Sequence, residues 1–357
     1  MNILFDGNFT NKPKSGIHRY FFNLVKNLPS SYIKYSTTTE TNSDITNHFI
    51  PPLKHFRPHK FSYIFEYFWY KRFQISTSFD LVHSAYFNLS KPCIDLISKG
   101  TPHIITVHDL IHELFSKNKI NIINCRRKIL ENATAIITVS ESTRNDLLNT
   151  YKSIPKDKVH VVHHGINNNQ SVNDLNLKVP KEFLLYVGHR EGYKNFDSLL
   201  PHIQKIKKIK RIPLIVVGPK PSKNELDNIK NRDLIAEVIF LVNISDQELN
   251  YLYSKCLALL FPSLYEGFGF PILEAMSFGA IPFASRGSSI HEVMGDAGFY
   301  VEVCGKSNLC DLILNISQNP KKKKTLKNKS KKRALEFSWS KCARLTTSIY
   351  AKTINNN

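Results

Sequence analysis

Short runs of apolar, often β-branched residues recur along the chain, and between them apolar positions return with a helical spacing. Continuous apolar runs suit strands buried on both faces of a parallel sheet, and the 3.6-residue period suits the helices that cover those faces. On this basis strands are predicted at Ile3–Phe5, His103–Val107, Ala135–Val139, Val159–Val162, Phe183–Val187, Leu214–Val217, Val238–Leu241 and Ala258–Phe261. Helices are predicted at Ile17–Asn27, Glu141–Tyr151, Phe196–Ile209, Asp246–Cys256, Pro271–Phe278, Asp311–Asn315 and Ser340–Lys352. Strands feeding helices in two successive series predict an α/β protein of two doubly wound, Rossmann-like domains.

The break between the series falls at His164–Lys181, a polar, Asn-rich stretch without periodicity that reads as a linker. The expected division is an N-terminal domain over residues 1–168, a second domain over 180–338, and a terminal helical segment, 339–357, returning to the first. The aromatic patch Phe337-Ser338-Trp339 could anchor that crossover.

At 357 residues, with 42% hydrophobic and 11% aromatic content, the chain can build two cores and is neither a disordered nor a fibrous polymer. Its 49 Lys and Arg against 29 Asp and Glu leave a net charge of +20, which favours anionic partners: nucleotides, nucleic acid or acidic lipid headgroups. Pro320–Arg333 alone holds nine of those cations and no acid, and it reads either as a solvated helix face or as a membrane-binding stripe. Tyr63–Phe73, aromatic and basic and preceded by Lys54, Arg57 and Lys60, fits a membrane interface or an interior helix equally. The six cysteines form no C-x-x-C pair, which suits a reduced cytoplasmic compartment. No basic n-region precedes the first strand and no apolar run approaches a membrane span, so a protein neither secreted by a cleaved signal nor membrane-spanning is expected.

Candidate chemistry gathers at strand ends. After the strand ending at Phe261 comes Glu266-Gly-Phe-Gly-Phe-Pro-Ile-Leu-Glu274. Gly267 and Gly269 permit backbone close to a ligand, and Pro271 suits a first helical turn. Glu266 in the loop and Glu274 in the first turn either flank a ligand facing free helix N–H groups, or are a capping and a solvated acid around a structural turn. Tyr186-Val-Gly-His-Arg190-Glu-Gly-Tyr-Lys194-Asn-Phe196 is a second strand-to-helix turn, with Lys194 at the helix start. A cation there opposes the macrodipole unless an anion is also present, and Arg190 could add bidentate phosphate contacts. Gly16 opens the first helix after the first strand, though not in a G-x-G-x-x-G pattern. His108 lies at the carboxyl end of a buried strand, the edge where open α/β sheets bind ligands, or else is a core histidine. His112 follows it by four, but on a strand end and loop rather than a helix, which disfavours a metal pair. Ser285–Ser289 with His291-Glu292 is a further polar turn that fits a functional or a structural role equally.

Taken together, Glu266-x7-Glu274, the Tyr186–Asn195 loop, the Gly16 loop and Val107-His108-Asp109 resemble the retaining glycosyltransferases of family 4. The resemblance runs from the Gly16 loop to Phe337-Ser338-Trp339 and is most specific over Phe261–Met276 and Ser288–Ala297. It implies the GT-B architecture, two Rossmann-like domains facing a central cleft that closes on the donor. Glu274 would hold the nucleotide ribose, Glu266 would touch the donor sugar at the reacting centre, and Arg190 with Lys194 would neutralise the diphosphate. Gly267, Phe268 and Gly269 would line the donor, His108 would contact the transferred sugar, and Gly16 would let the first-domain loop approach phosphate or acceptor. One departure concerns Arg190, which precedes Lys194 by only four residues where many members space the pair more widely. The family reaction needs no metal or other cofactor and no carboxylate nucleophile; the departing phosphate helps to take the acceptor proton. The partners so implied are a nucleotide-diphosphate sugar, with mannose as the expected hexose, and a lipid-linked or growing glycan of lipopolysaccharide O-antigen or capsule. Such acceptors sit at the inner face of the plasma membrane, where peripheral contact with anionic lipid would use the positive charge. A non-catalytic nucleotide- or glycan-binding module on the same fold is the rival reading. A nucleic-acid-binding protein is disfavoured, since no recognition-helix, zinc or RNP-type signature accompanies the charge.

Overall fold

A computed structural model describes residues 1–6, 16–36, 47–48, 78–87, 89–116, 118–167, 175, 177–302 and 308–355. The Tyr63–Phe73 segment, its preceding cations, and linker residues 168–174 and 176 lie outside them. The chain divides into two units, one of Met1–Gly165 with Trp339–Asn357 and the other of Ile166–Ser338.

The first unit is built on parallel strands β1 (Asn2–Asp6), β2 (Ile33–Ser36), β3 (Asn47–His48), β4 (Leu81–Ser84), β5 (His103–Val107), β6 (Ala135–Thr138) and β7 (Val159–Val161). They pair in the order β3-β2-β1-β4-β5-β6-β7. Helices α1 (Gly16–Asn27), α2 (Lys91–Ser98), α3 (Ile111–Phe115), α4 (Lys119–Asn132) and α5 (Glu141–Thr150) connect them. Every side chain of β4, β5 and β6 is buried, as strands covered on both faces must be. β4 carries no continuous apolar run because His83 and Ser84 occupy two of its core positions. Their polar atoms are satisfied inside the unit: His83 pairs with the Tyr350 hydroxyl at 2.6 Å and Thr106 Oγ1 at 2.8 Å, and Ser84 pairs with His103 Nε2 at 2.8 Å. Tyr350 comes from the last helix, α13 (Trp339–Asn355), which follows the second unit in sequence but packs beside α1 in the first. A second buried polar cluster joins α3 to α4 and α5: Arg126 Nη1 donates to both Glu113 carboxylate oxygens at 2.8 Å, and Tyr151 donates to the same acid at 2.9 Å.

The second unit repeats the plan with β8 (Leu184–Val187), β9 (Leu214–Val217), β10 (Val238–Leu241), β11 (Ala258–Phe261), β12 (Pro282–Ala284) and β13 (Phe299–Tyr300), ordered β10-β9-β8-β11-β12-β13 and parallel throughout. Its helices are α6 (Leu200–Ile209), α7 (Lys223–Asn231), α8 (Asp246–Lys255), α9 (Phe270–Ser277), α10 (Ile290–Met294), α11 (Leu309–Gln318) and α12 (Pro320–Ala334). Capping boxes start α7 (Ser222 with Glu225) and α8 (Ser245 with Glu248).

The basic run forms α12, and it is more than a solvated face. Lys327 donates to the Ser254 carbonyl at the end of α8, the Lys331 stem lies over Gly279 just past α9, and Arg333 donates to the Glu292 and Val293 carbonyls in α10. Cations at helix C-termini satisfy unpaired carbonyls and complement the macrodipole. Ser330, buried between them, donates to the Ala280 carbonyl at 2.7 Å.

Candidate active site

In the second unit the strand order reverses at β8, which has β9 on one side and β11 on the other. The crevice outside the carboxyl ends of the strands at such a reversal is where open α/β sheets bind ligands. The loops following β8 and β11 supply its residues.

After β8 the backbone turns through left-handed residues at Gly188 (φ 136°), Gly192 (φ 57°) and Asn195 (φ 54°). Lys194 ends a single 3-10 turn, Gly192–Lys194, and a further 3-10 turn, Phe196–Leu199, precedes α6. The expectation of one helix from Phe196 with Lys194 at its start is therefore corrected: the left-handed Asn195 interrupts the helical path. The expected conflict with a helix dipole disappears, and the ammonium is neutralised by Glu266, 2.7 Å away. That carboxylate oxygen also accepts from Ser263 Oγ at 2.6 Å. Lys194 further lies over the Tyr193 and Phe261 rings.

Glu266 occupies the loop after β11, as expected. Gly269, at φ 91°, caps α9, which begins at Phe270, so Glu274 is its fifth residue and falls in the second turn rather than the first. Its Oε2 accepts from the Tyr253 hydroxyl at 3.2 Å. Gly267 is buried, and the Phe268 side chain packs edge-on against Phe270 and Phe337 inside the unit, so only its backbone is offered to a ligand. Arg190 turns away from Lys194 to the Glu225 carboxylate of the α7 capping box and lies over Phe240. Its Nη1 is buried without a hydrogen-bond partner.

In the first unit, His108 follows β5 and is buried. Its ring donates to the Ala85 carbonyl, its Nε2 has no hydrogen-bond partner, and burial lowers its pKa to about 3, so it is a neutral imidazole with a free acceptor. Tyr20, on the helix that Gly16 opens, meets it edge-on at 4.9 Å, and His164 stacks on it at 5.4 Å. The structure thus brings the Gly16 helix to His108 and Lys194 to Glu266. It joins Arg190 and Glu274 to other partners.

The sequence pattern of the glycosyl transferases group 1 matches residues 167–333, and that of Glycosyltransferase Family 4 matches residues 14–170. The chain belongs to glycosyltransferase family 4. Among relatives of this family 4 glycosyltransferase, the O-antigen chain mannosyltransferase B of Escherichia coli is 27% identical over 62% of the chain and 61% of the relative. The O-antigen chain mannosyltransferase RfbU of Salmonella typhimurium is 28% identical over 60% of the chain and 61% of its own length. The chain thus spans about three fifths of these two relatives. An uncharacterized glycosyltransferase of Methanocaldococcus jannaschii is 27% identical over 94% of both chains. Among solved structures, sucrose-phosphate synthase from Thermosynechococcus elongatus superposes with a TM-score of 0.77 at 19% identity over all of both chains. HepE of Anabaena, solved with UDP and glucose, superposes at 0.75 and 17% identity over 99% of this chain and all of its own. These likenesses establish the GT-B fold.

For this glycosyltransferase, sequence reasoning did not find Glu225 as the partner of Arg190, His164 as the stacking neighbour of His108, or the serines around Glu266. Glu225 lies 35 residues from Arg190 and Ser288 lies 22 from Glu266, so no local spacing betrays them, whereas Ser263 is only three residues from Glu266. Among the described residues no helix is long and apolar enough to cross a membrane.

Proposed function

We propose that the protein transfers a hexose, mannose by preference, from a nucleotide-diphosphate sugar to a lipid-linked or growing glycan of a surface polysaccharide such as O-antigen or capsule, with retention at the anomeric carbon. The observation that carries this reading is the Lys194–Glu266 pair at the reversal of strand order, a cation and an acid held together where the sheet offers a ligand site. The mannosyltransferase relatives support the choice of sugar and of acceptor.

In this scheme the bond between the anomeric carbon and the β-phosphate oxygen breaks, and the acceptor hydroxyl bonds to the same face of the sugar. Its proton passes to the departing phosphate. Charge grows on that phosphate, and a fixed ammonium in a partly buried site stabilises it without metal. Lys194 supplies the ammonium, with Arg190 Nη1 as a second donor. Glu266 binds donor-sugar hydroxyls, Glu274 holds the ribose, and the neutral His108 accepts a hydroxyl hydrogen at Nε2. Gly267, Phe268 and Gly269 offer backbone to the donor, and Gly16 leaves room for phosphate or acceptor at the head of α1. Attraction of the net positive charge to anionic lipid would keep the protein at the inner membrane face, where lipid-linked acceptors are found.

The test is a donor panel of GDP-, UDP-, dTDP- and ADP-sugars with product detection by mass spectrometry, in the presence and absence of EDTA. GDP-mannose should turn over unchanged in EDTA, with the α-linkage retained by NMR. Lys194→Ala and Glu274→Ala should each lose about 10²-fold or more in kcat/KM, the scale of removing one charge-stabilising or positioning contact. Wild-type turnover in both variants refutes the assignment, and absence of turnover with every donor favours the non-catalytic module.

A further inference from the structure

The loop after β12 is knit to the loop after β11 at several points. Ser285 Oγ donates to the Ser263 carbonyl. Gly287 comes so close to Leu264 that a Cβ added there would stand 2.6 Å from its carbonyl oxygen. Ser288 Oγ accepts the Glu266 amide N–H at 2.7 Å, and Ser289 Oγ, fully buried, donates to the Glu266 carbonyl at 2.8 Å. Those two groups belong to the peptide planes on either side of the Glu266 Cα. Holding both planes fixes both backbone torsions of residue 266, and with them the direction in which its side chain leaves the chain. Ser263, by donating to Oε1, then fixes the far end.

Ser288 performs this with φ at 42°, in the left-handed region that a residue with a Cβ enters at a cost and that glycine enters freely. A hydroxyl is kept at a position whose backbone favours glycine. Sites that break a local rule in this way concentrate where function demands it.

We infer that Ser288 and Ser289 are positioning residues that aim the Glu266 carboxylate at the donor sugar. The inference rests on the reading of Glu266 as the acid at the reacting centre. The two serines touch no reacting atom in this scheme; they act through the peptide units of Glu266.

Two substitutions at one site separate aim from stability. Ser288→Gly and Ser288→Ala both remove the hydroxyl, but glycine relieves the left-handed strain and alanine retains it. With the donor selected by the panel above, both variants should lose kcat by about 10- to 100-fold, the size of effect a misplaced group of about 1 Å produces, with donor KM within about threefold of wild type. Hydrogen–deuterium exchange at the Glu266 amide should quicken in both. The melting temperature should divide them, with Ser288→Gly no lower than wild type and Ser288→Ala lower. Ser289→Ala should lower kcat in the same direction, and Glu266→Gln sets the floor. A kcat that tracks melting temperature, falling in Ser288→Ala alone, overturns the inference in favour of a merely structural role. So does full turnover in Ser288→Gly alongside an inactive Glu266→Gln, which leaves the role of Glu266 standing. A fully active Glu266→Gln removes that role, and the inference with it.

Discussion

Mild acid should destabilise the first unit. Burial, the largest cause in each case, lowers the pKa of His83 to about 3, of His103 to about 4 and of His108 to about 3, and drives that of His164 well below the ordinary histidine value. The unfolded chain titrates near 6.5, so below that pH it binds protons that the folded unit refuses. The stability these four groups allow is complete above about pH 6.5 and is lost as pH falls towards the folded values. At pH 5.5 an unfolded histidine is about nine-tenths protonated and these folded ones are neutral, so each removes about 1.2 kcal/mol relative to pH 7. His83, His103 and His108 together remove about 4 kcal/mol, and His164 adds to the same side, against a whole-domain stability of about 5–15 kcal/mol. Asp109, whose carboxyl burial pushes up, offsets part of this. Trp339 is buried in this unit, so its fluorescence in urea titrations follows the unit's unfolding. The urea midpoint should fall steeply between pH 7 and 5.5, and His103→Gln should flatten the fall of stability by about 0.8 kcal/mol per pH unit over that window. Equal midpoints at the two pH values would refute the reasoning, because histidines that cost nothing to protonate are not held neutral by the fold.

Three further substitutions test the packing. Arg126→Met leaves the Glu113 carboxylate buried with the Tyr151 hydroxyl but without its guanidinium, and should cost about 3–5 kcal/mol by urea denaturation at pH 7.5, with partial recovery on adding Glu113→Gln. Gly218→Ala drives a Cβ into the Gly188 carbonyl oxygen, a backbone atom that cannot swing aside, and should cost about 1–3 kcal/mol with a parallel loss of donor affinity, since Gly188 opens the loop that carries Lys194. Arg333→Met removes donors to the Glu292 and Val293 carbonyls, and should lower the thermal stability of the second unit by about 1–2 kcal/mol while leaving donor KM unchanged.

The two parallel sheets were legible because a strand covered on both faces is mostly apolar, as β9 and β11 are throughout and as β5, β6 and β8 are apart from His103, Thr106, Thr138 and Tyr186. β4 escaped because its polar residues are made tolerable by partners remote in sequence, Tyr350 lying 267 residues from His83. The same distinction runs through the site. Glu266 and Lys194 announce themselves by residue type and by following a strand, yet their mutual contact spans 72 residues and no periodicity encodes it. Helix beginnings were misjudged wherever one backbone torsion decided them: Asn195 ends a turn that the apolar spacing would have continued, and Gly269 starts α9 one residue ahead of Pro271. Charge was legible as a number and not as a use. Of the cations in the 320–333 run, Lys327, Lys329 and Arg333 are engaged by carbonyls or an acid within the second unit, so the formal excess overstates what remains for an anionic partner. Sequence reports which groups a chain owns; folding decides which of them are already occupied, and for a site built on paired charges that occupancy determines whether a cation is presented to substrate or spent on the scaffold.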